Sequence, residues 1–193
     1  MKLRFLAAIV VVFLTSIAAH AQAGIYVNPI ASYVTNSVPD FGPFAFLGEG
    51  SKSNVFWGVS MGGYYNFYQQ GKLNVGIDVR NTYQHGNGAL LNNFLVGIRV
   101  QGSPFTRPYK PYAQAAIGAG TTSAPTNSLR ITRATGVFTG GVDRTLNQRF
   151  DWRVFEVSYG TLATVSTATV GSGPSIPNSH LWNFSTGFVI KLP

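Results

Sequence analysis

Asp78 and Arg80 stand two residues apart in a stretch that alternates bulky apolar with small or polar side chains. Arg99, Gln114, Asp143 and Glu156 recur further along in the same setting. Strict alternation describes a strand with two faces, so these six residues fall on the polar face of a sheet. Charges of both signs on one sheltered face should pair, because an unpaired buried charge is costly. The chemistry expected is a network of Arg80 and Arg99 with Asp78, Asp143 and Glu156, with Gln114 beside it. Its bland role is a structural plug, and its sharper role a gated ion path. The plug is the reading adopted.

Other chemistry finds little support. His85 and His180 are the histidines left once a leader is set aside, and both fall near strand ends. Ser179 precedes His180, but loop serines are abundant here, and no serine or aspartate is assembled with a histidine in the linear sequence. The chain has no cysteine, so it offers neither a disulfide nor a thiolate. No metal-ligand spacing and no glycine-rich phosphate loop between a strand and a helix is present. The pI near 10.0 raises nucleic acid as a partner, yet the basic residues are scattered rather than clustered. Neither an enzyme, a cofactor nor a nucleic-acid partner is expected.

The elements that must position these residues are strands. From Asn54 to His85 two alternating segments flank the turn Gln69-Gln70-Gly71-Lys72. Val55, Trp57, Val59, Met61, Tyr65 and Phe67 share one parity of the first segment. Leu73, Val75, Ile77, Val79 and Tyr83 share one parity of the second. Glycines and the Asp78/Arg80 pair occupy the other face, and aromatics gather near both ends. Greasy outside and polar inside is the pattern of a membrane-spanning barrel. Only 10% of residues are charged, against about a quarter in soluble domains.

Eight such segments are legible, the others near 24–36, 90–101, 111–121, 132–145, 150–161 and 180–192. Pro29 in the first is expected at a bulge or an unpaired position. Connections at 37–53, 86–89, 122–131 and 162–179 are mostly long, and those at 69–72, 102–110 and 146–149 shorter. Long loops outside and short periplasmic turns, with an even strand number, are the rule for bacterial barrels. Phe41, Phe44 and Phe46 in the first long loop are expected either over the barrel mouth or in the headgroup zone. Lys72, Arg107, Lys110, Arg144, Arg149 and Lys191 fall at the turn ends. Glu156 is placed inside, which leaves Arg153 outside and snorkelling to the interface. Gly58, Gly62, Gly76, Gly97, Gly118, Gly120 and Gly187 are expected to make room in the lumen for Phe56, Tyr64 and Tyr112.

The first residues read as a targeting segment. Lys2 and Arg4 precede the apolar run from Phe5 to Ala19, and small-x-small cleavage patterns end at Ala21 and Ala23. The expected division is a leader over 1–23, cleaved after Ala21 or Ala23, and a barrel over 24–193. Cleavage lowers the net charge from +8 to +6, with 12 basic residues left against 6 acidic ones.

The last segment is the most specific. Trp182, Phe184, Thr186, Phe188, Ile190 and Leu192 share one parity, and Ser185, Gly187, Ile190 and Leu192 follow a spacing of polar residue, glycine and two hydrophobics. This run resembles the C-terminal β-signal of outer-membrane proteins. With the leader and the eight segments, the chain resembles the small eight-stranded outer-membrane β-barrel family, the OmpA-type transmembrane domain. Lys110 to Gly118 resembles that family's fifth strand. The chain departs from the family in ending Leu192-Pro193 rather than on an aromatic residue, and no peptidoglycan-binding domain follows.

The resemblance implies an all-β, eight-stranded antiparallel up-and-down barrel in the bacterial outer membrane. It would be monomeric, surrounded by outer-membrane lipids and delivered by the outer-membrane assembly machinery. The role expected is structural or interactive, through envelope integrity, adhesion or an extracellular ligand met by the loops. A narrow porin is the alternative. A soluble lipocalin-like ligand carrier, with the apolar faces turned inward, is a third.

Overall fold

A computed structural model of the chain describes residues 23–102, 108–125, 129–165 and 178–192. Residues 1–22 of the leader expected over 1–23, together with Arg107 and Pro193, lie outside the described residues. Alternation along the chain becomes eight strands: β1 (Ala23–Asp40), β2 (Ser51–Gln70), β3 (Leu73–Gly86), β4 (Ala89–Gly102), β5 (Tyr109–Ser123), β6 (Arg130–Thr145), β7 (Phe150–Ala163) and β8 (Asn178–Leu192). Each pairs antiparallel with its chain neighbours, and β8 pairs with β1 to close a barrel. Closure leaves no sheet edge, which a membrane core demands because it offers no water to unpaired backbone groups.

Several strands run past the limits read from the sequence. The loop expected at 37–53 shrinks to 41–50, since β1 reaches Asp40 and β2 begins at Ser51. Gln69 and Gln70 belong to β2, so the β2–β3 turn is only Gly71-Lys72, with Gly71 at φ 56°. At the opposite end Asn87 and Gly88 both take positive φ, 51° and 74°, to join β3 and β4 in a two-residue hairpin. Ala23, Leu192 and the turns after β2 and β6 share one end of the barrel, here the turn end. The connections after β1, β3, β5 and β7 form the loop end.

Facing follows parity. Outward side chains include Val27, Val59, Ile77, Val96, Ile117, Phe138 and Phe184, with Ile117 and Phe138 exposed by 76% and 71%. Tyr33, Trp57, Tyr83, Tyr159 and Trp182 ring the loop-end side of this apolar belt. Phe67, Tyr68, Tyr109 and Phe150 flank it at the turn end. Such girdles suit side chains that are apolar in body and polar at the tip. The reversed barrel of a lipocalin is thereby overturned: Asp78 and Arg99 are fully buried inside while the greasy parity faces out.

Two interruptions shape the seam around β8. β1 pairs with β8 from Ala23 to Val27 and from Ile30 to Thr35 in one register, skipping Asn28 and Pro29. Proline has no N–H to give to the ladder, and the strand runs on without a register shift. On the other flank, β7 shifts register against β8 between Arg153 and Glu156. It shifts against β6 at the same place. Thr186 of β8 thus lies at both breaks, while Gly187 still pairs with Arg153, and Thr186 Oγ1 donates to the Arg153 carbonyl at 2.9 Å.

Candidate functional site in the barrel lumen

An eight-stranded barrel has an interior its own side chains can fill, and this one is filled in layers. Across the turn-end half runs a charged layer. Arg80 donates from both terminal nitrogens to Glu156, at 2.8 Å each, in the two-pronged geometry that suits a guanidinium and a carboxylate. Its Nε donates to the Tyr26 hydroxyl at 2.9 Å, and that hydroxyl donates to Asp78 at 2.9 Å. Gln114 adds a bond to Asp78 at 2.9 Å. Arg99 donates to Asp143 at 2.6 Å. The structure therefore brings Asp78, Arg80, Arg99, Gln114, Asp143 and Glu156 into one layer, carried by strands β3 to β7.

Arg153 requires a correction. The alternation expected it outside, because Glu156 three residues later had to be inside. In fact both point inward, and Arg153 is fully buried. Its Nε donates to Asp143 at 3.0 Å and its Nη1 to Glu156 at 3.2 Å. The register shift supplies the reason: Val154 and Phe155 form a bulge that uses one extra residue and reverses the phase of the strand. The addition balances the layer, with Arg80, Arg99 and Arg153 against Asp78, Asp143 and Glu156. A signal was present in the sequence, since Asp151, Arg153 and Glu156 crowd three charges into six residues of one strand.

Aromatic rings complete the layer. The Arg99 guanidinium lies over Tyr64 and Tyr112 at 4.3 and 3.9 Å from the ring centres, and Arg153 over Tyr26 at 4.4 Å. Tyr112 also donates to Glu156 at 2.6 Å. The three tyrosines lie over glycines of other strands: a Cβ on Gly24, Gly62 or Gly141 would come 2.6–2.8 Å from the Cζ of Tyr64, Tyr26 or Tyr112. Gly58, Gly97 and Gly118 play a different part from the one expected, since a Cβ there would strike the adjoining strand's backbone. Nearer the turn end, Asp151 is paired with Lys110 at 2.9 Å and Lys191 at 3.0 Å.

The residues of the C-terminal signal divide between the faces. Ser185 points inward and donates to Glu156 at 3.0 Å. Gly187 also faces inward, where a Cβ would run into the Asn28 side chain. Ile190 and Leu192 face outward, exposed by 42% and 43%. Ser179 and His180 take opposite faces: Ser179 is buried against Asn36 and Thr164, while the His180 ring meets the Tyr159 hydroxyl at 2.7 Å outside. They form no dyad.

Toward the loop end an apolar cluster fills part of the lumen, beside buried polar groups such as Asn36, Thr122 and Ser179. Val34, Phe56, Leu91, Leu162 and Leu181 point inward, and Phe46 and Leu47 of the 41–50 loop pack among them. Of the three loop phenylalanines, Phe46 closes over the mouth and Phe41 remains exposed. Asp40 accepts from the Leu47 N–H at 3.2 Å, and burial pushes its carboxyl above the ordinary range against the pull of such backbone bonds.

No protein-family model matches the chain, and no curated protein matches it in sequence. Among solved structures it is similar to Neisserial surface protein A, with a TM-score of 0.59 and 16% identity over 90% of this chain and 99% of that one. It is also similar to Ail, the attachment invasion locus protein of Yersinia pestis, with a TM-score of 0.50 and 12% identity over 88% of this chain and 99% of that one. Likeness at such identities concerns fold. The chain shares with them the fold of a small, closed eight-stranded antiparallel β-barrel.

Proposed function

We propose that this protein is an integral barrel of the bacterial outer membrane that serves a structural or adhesive role through its loop end, which faces the exterior. One observation carries the reading: the lumen is occupied at two levels, by the charged layer and by the apolar seal under the 41–50 loop. With the interior filled, the surfaces left for work are the belt that meets lipid and the outer rim that meets whatever lies outside. The names of the two similar structures, a surface protein and an attachment invasion protein, are compatible with a role at that rim. Delivery depends on the assembly machinery reading Ser185, Gly187, Ile190 and Leu192 in β8. A catalytic role forms no part of the proposal.

Planar-bilayer recording of the refolded mature protein tests it. A silent baseline is expected, both for the parent and for Glu156→Ala. Discrete conductance steps in the parent that change with Glu156→Ala would replace this reading with that of a narrow, gated porin.

A further inference from the structure

The apolar ring at the loop end is built like a receptor with its own chain seated in it. Val34, Phe56, Leu91, Leu162 and Leu181 come inward from five different strands, each 1% exposed or less. Lumen walls that meet water carry polar side chains, so a ring of this kind at the mouth needs an apolar occupant. Phe46 is that occupant: its ring stacks on Phe56 with centres 4.7 Å apart and planes 16° from parallel.

The loop that delivers Phe46 is short and bonded mainly within itself: Ala45 N–H donates to the Gly42 carbonyl at 3.0 Å, Gly48 N–H to that of Ala45 at 3.2 Å, and Gly50 N–H to that of Asp40 at 2.7 Å. Leu47 N–H bonds the Asp40 carboxylate at 3.2 Å, and Gly42 N–H bonds the Glu49 carboxylate at 2.8 Å. Gly42, Gly48 and Gly50 take φ of 87°, 101° and 70°. These are pivots at both ends that side-chain-bearing residues rarely provide.

Beside and beneath the ring lie buried amide atoms with no hydrogen-bond partner among the described residues. Gln84 is 3% exposed and points inward beside Leu91, with which it pairs across β3 and β4, yet neither atom of its amide has a partner. The Asn93 Oδ1 is likewise without one. It lies within reach of Leu162, since a Cβ on Gly120 would meet Leu162 Cδ1 at 2.6 Å and Asn93 Oδ1 at 3.0 Å. Buried amides left without partners are costly, and native proteins rarely keep them idle. Apolar walls with a few convergent polar groups at the floor make a small-molecule site.

We infer that this ring is a binding site, entered from outside, for a small flat aromatic molecule that carries one hydrogen-bonding group. Such a ligand stacks on Phe56 in the place of Phe46, and its polar group reaches Gln84 and Asn93. The inference rests on the reading of a closed barrel that works through its outer rim, and it names the chemistry of what the rim admits.

The test is titration of the refolded mature barrel with 4-fluorophenol, followed by the ¹⁹F resonance of the probe, with fluorobenzene as the partner lacking the hydroxyl. Saturable binding of 4-fluorophenol to the parent is expected, in preference to fluorobenzene. Phe46→Ala should tighten it by roughly tenfold or more, because an internal competitor reduces apparent affinity by the fraction of time the site is free. Gln84→Leu should erase the preference for the phenol. A faster unboiled band on gels identifies variants that fold, and the parent titration stands alone if Phe46→Ala does not.

A parent that takes up neither probe overturns the inference, even if Phe46→Ala binds one, for the ring is then only a seal. Equal uptake of both probes overturns it too, as does an affinity indifferent to Phe46→Ala. Failure here with a silent bilayer leaves the closed-barrel reading standing, whereas conductance in the parent removes that reading by itself.

Discussion

Glu156 accepts hydrogen bonds from four residues on four strands: Arg80 of β3, Tyr112 of β5, Arg153 of β7 and Ser185 of β8. No other carboxylate in the lumen gathers so many elements. Removing it leaves Arg80 and Arg153 facing each other in a space with no other carboxylate at hand for Arg80 beyond Asp78 at 3.7 Å. Glu156→Ala should therefore cost about 3–5 kcal/mol, the range for breaking a buried pair, read from urea unfolding in lipid vesicles. Arg153→Leu should cost less, because Asp143 keeps Arg99 and Glu156 keeps Arg80. An equal loss would mean that the charges act as one unit rather than as separable pairs. Five of the six residues read from the sequence as a polar network are charged, and their parity alone placed them on one face. Arg153 escaped that logic because alternation assumes an unbroken strand, and a bulge leaves no period of its own in a single sequence. Phe46 escaped for another reason: a loop residue has no parity at all, so its burial is set by what the mouth of the barrel offers it.

Among the elements, β8 ties the two faces of the design together in the clearest alternation of the chain. Phe184 faces lipid near the middle of the strand, opposite Ala31 on one side and Val157 on the other, and is half exposed. His180 lies four residues nearer the rim on the same face. A cation on the lipid side of a barrel costs about 2–4 kcal/mol at the midplane and about 0–1 near the interface. Phe184→Lys should accordingly destabilise the barrel by several times as much as His180→Lys in the same vesicle unfolding assay. Similar losses at both positions would show that the belt is not where the aromatic girdles place it. Strand existence and facing were legible because outward Val, Ile and Phe alternate with inward Gly, Ser and Asp over many residues. Strand ends were not, because Ser51 to Ser53 read as loop while Ser51 and Ser53 still pair with β1, and past Thr35 the first strand shifts register before Asp40 pairs with Ser51.

At the scale of the whole molecule, four of the six acidic residues lie in the lumen as Asp78, Asp143, Asp151 and Glu156, and the other two, Asp40 and Glu49, brace the 41–50 loop. None stands on the belt. Such a barrel, closed by backbone bonds on every flank, resists detergent until it is heated. The unboiled mature protein should migrate faster on a denaturing gel than the boiled one, and an unchanged band would argue against a closed barrel. The seam of β8 adds a consequence for how closure proceeds in time. Breaks in both ladders meet at Thr186 and divide the last strand into two lengths, each zipped by its own run of bonds. The lower length, which holds Phe188 to Leu192, can be fastened to β1 and β7 while the upper one still hangs free. The final strand then locks like a fastener with two snaps, and the amide of Thr186 should trade its hydrogen with solvent before those of the residues on either side of it.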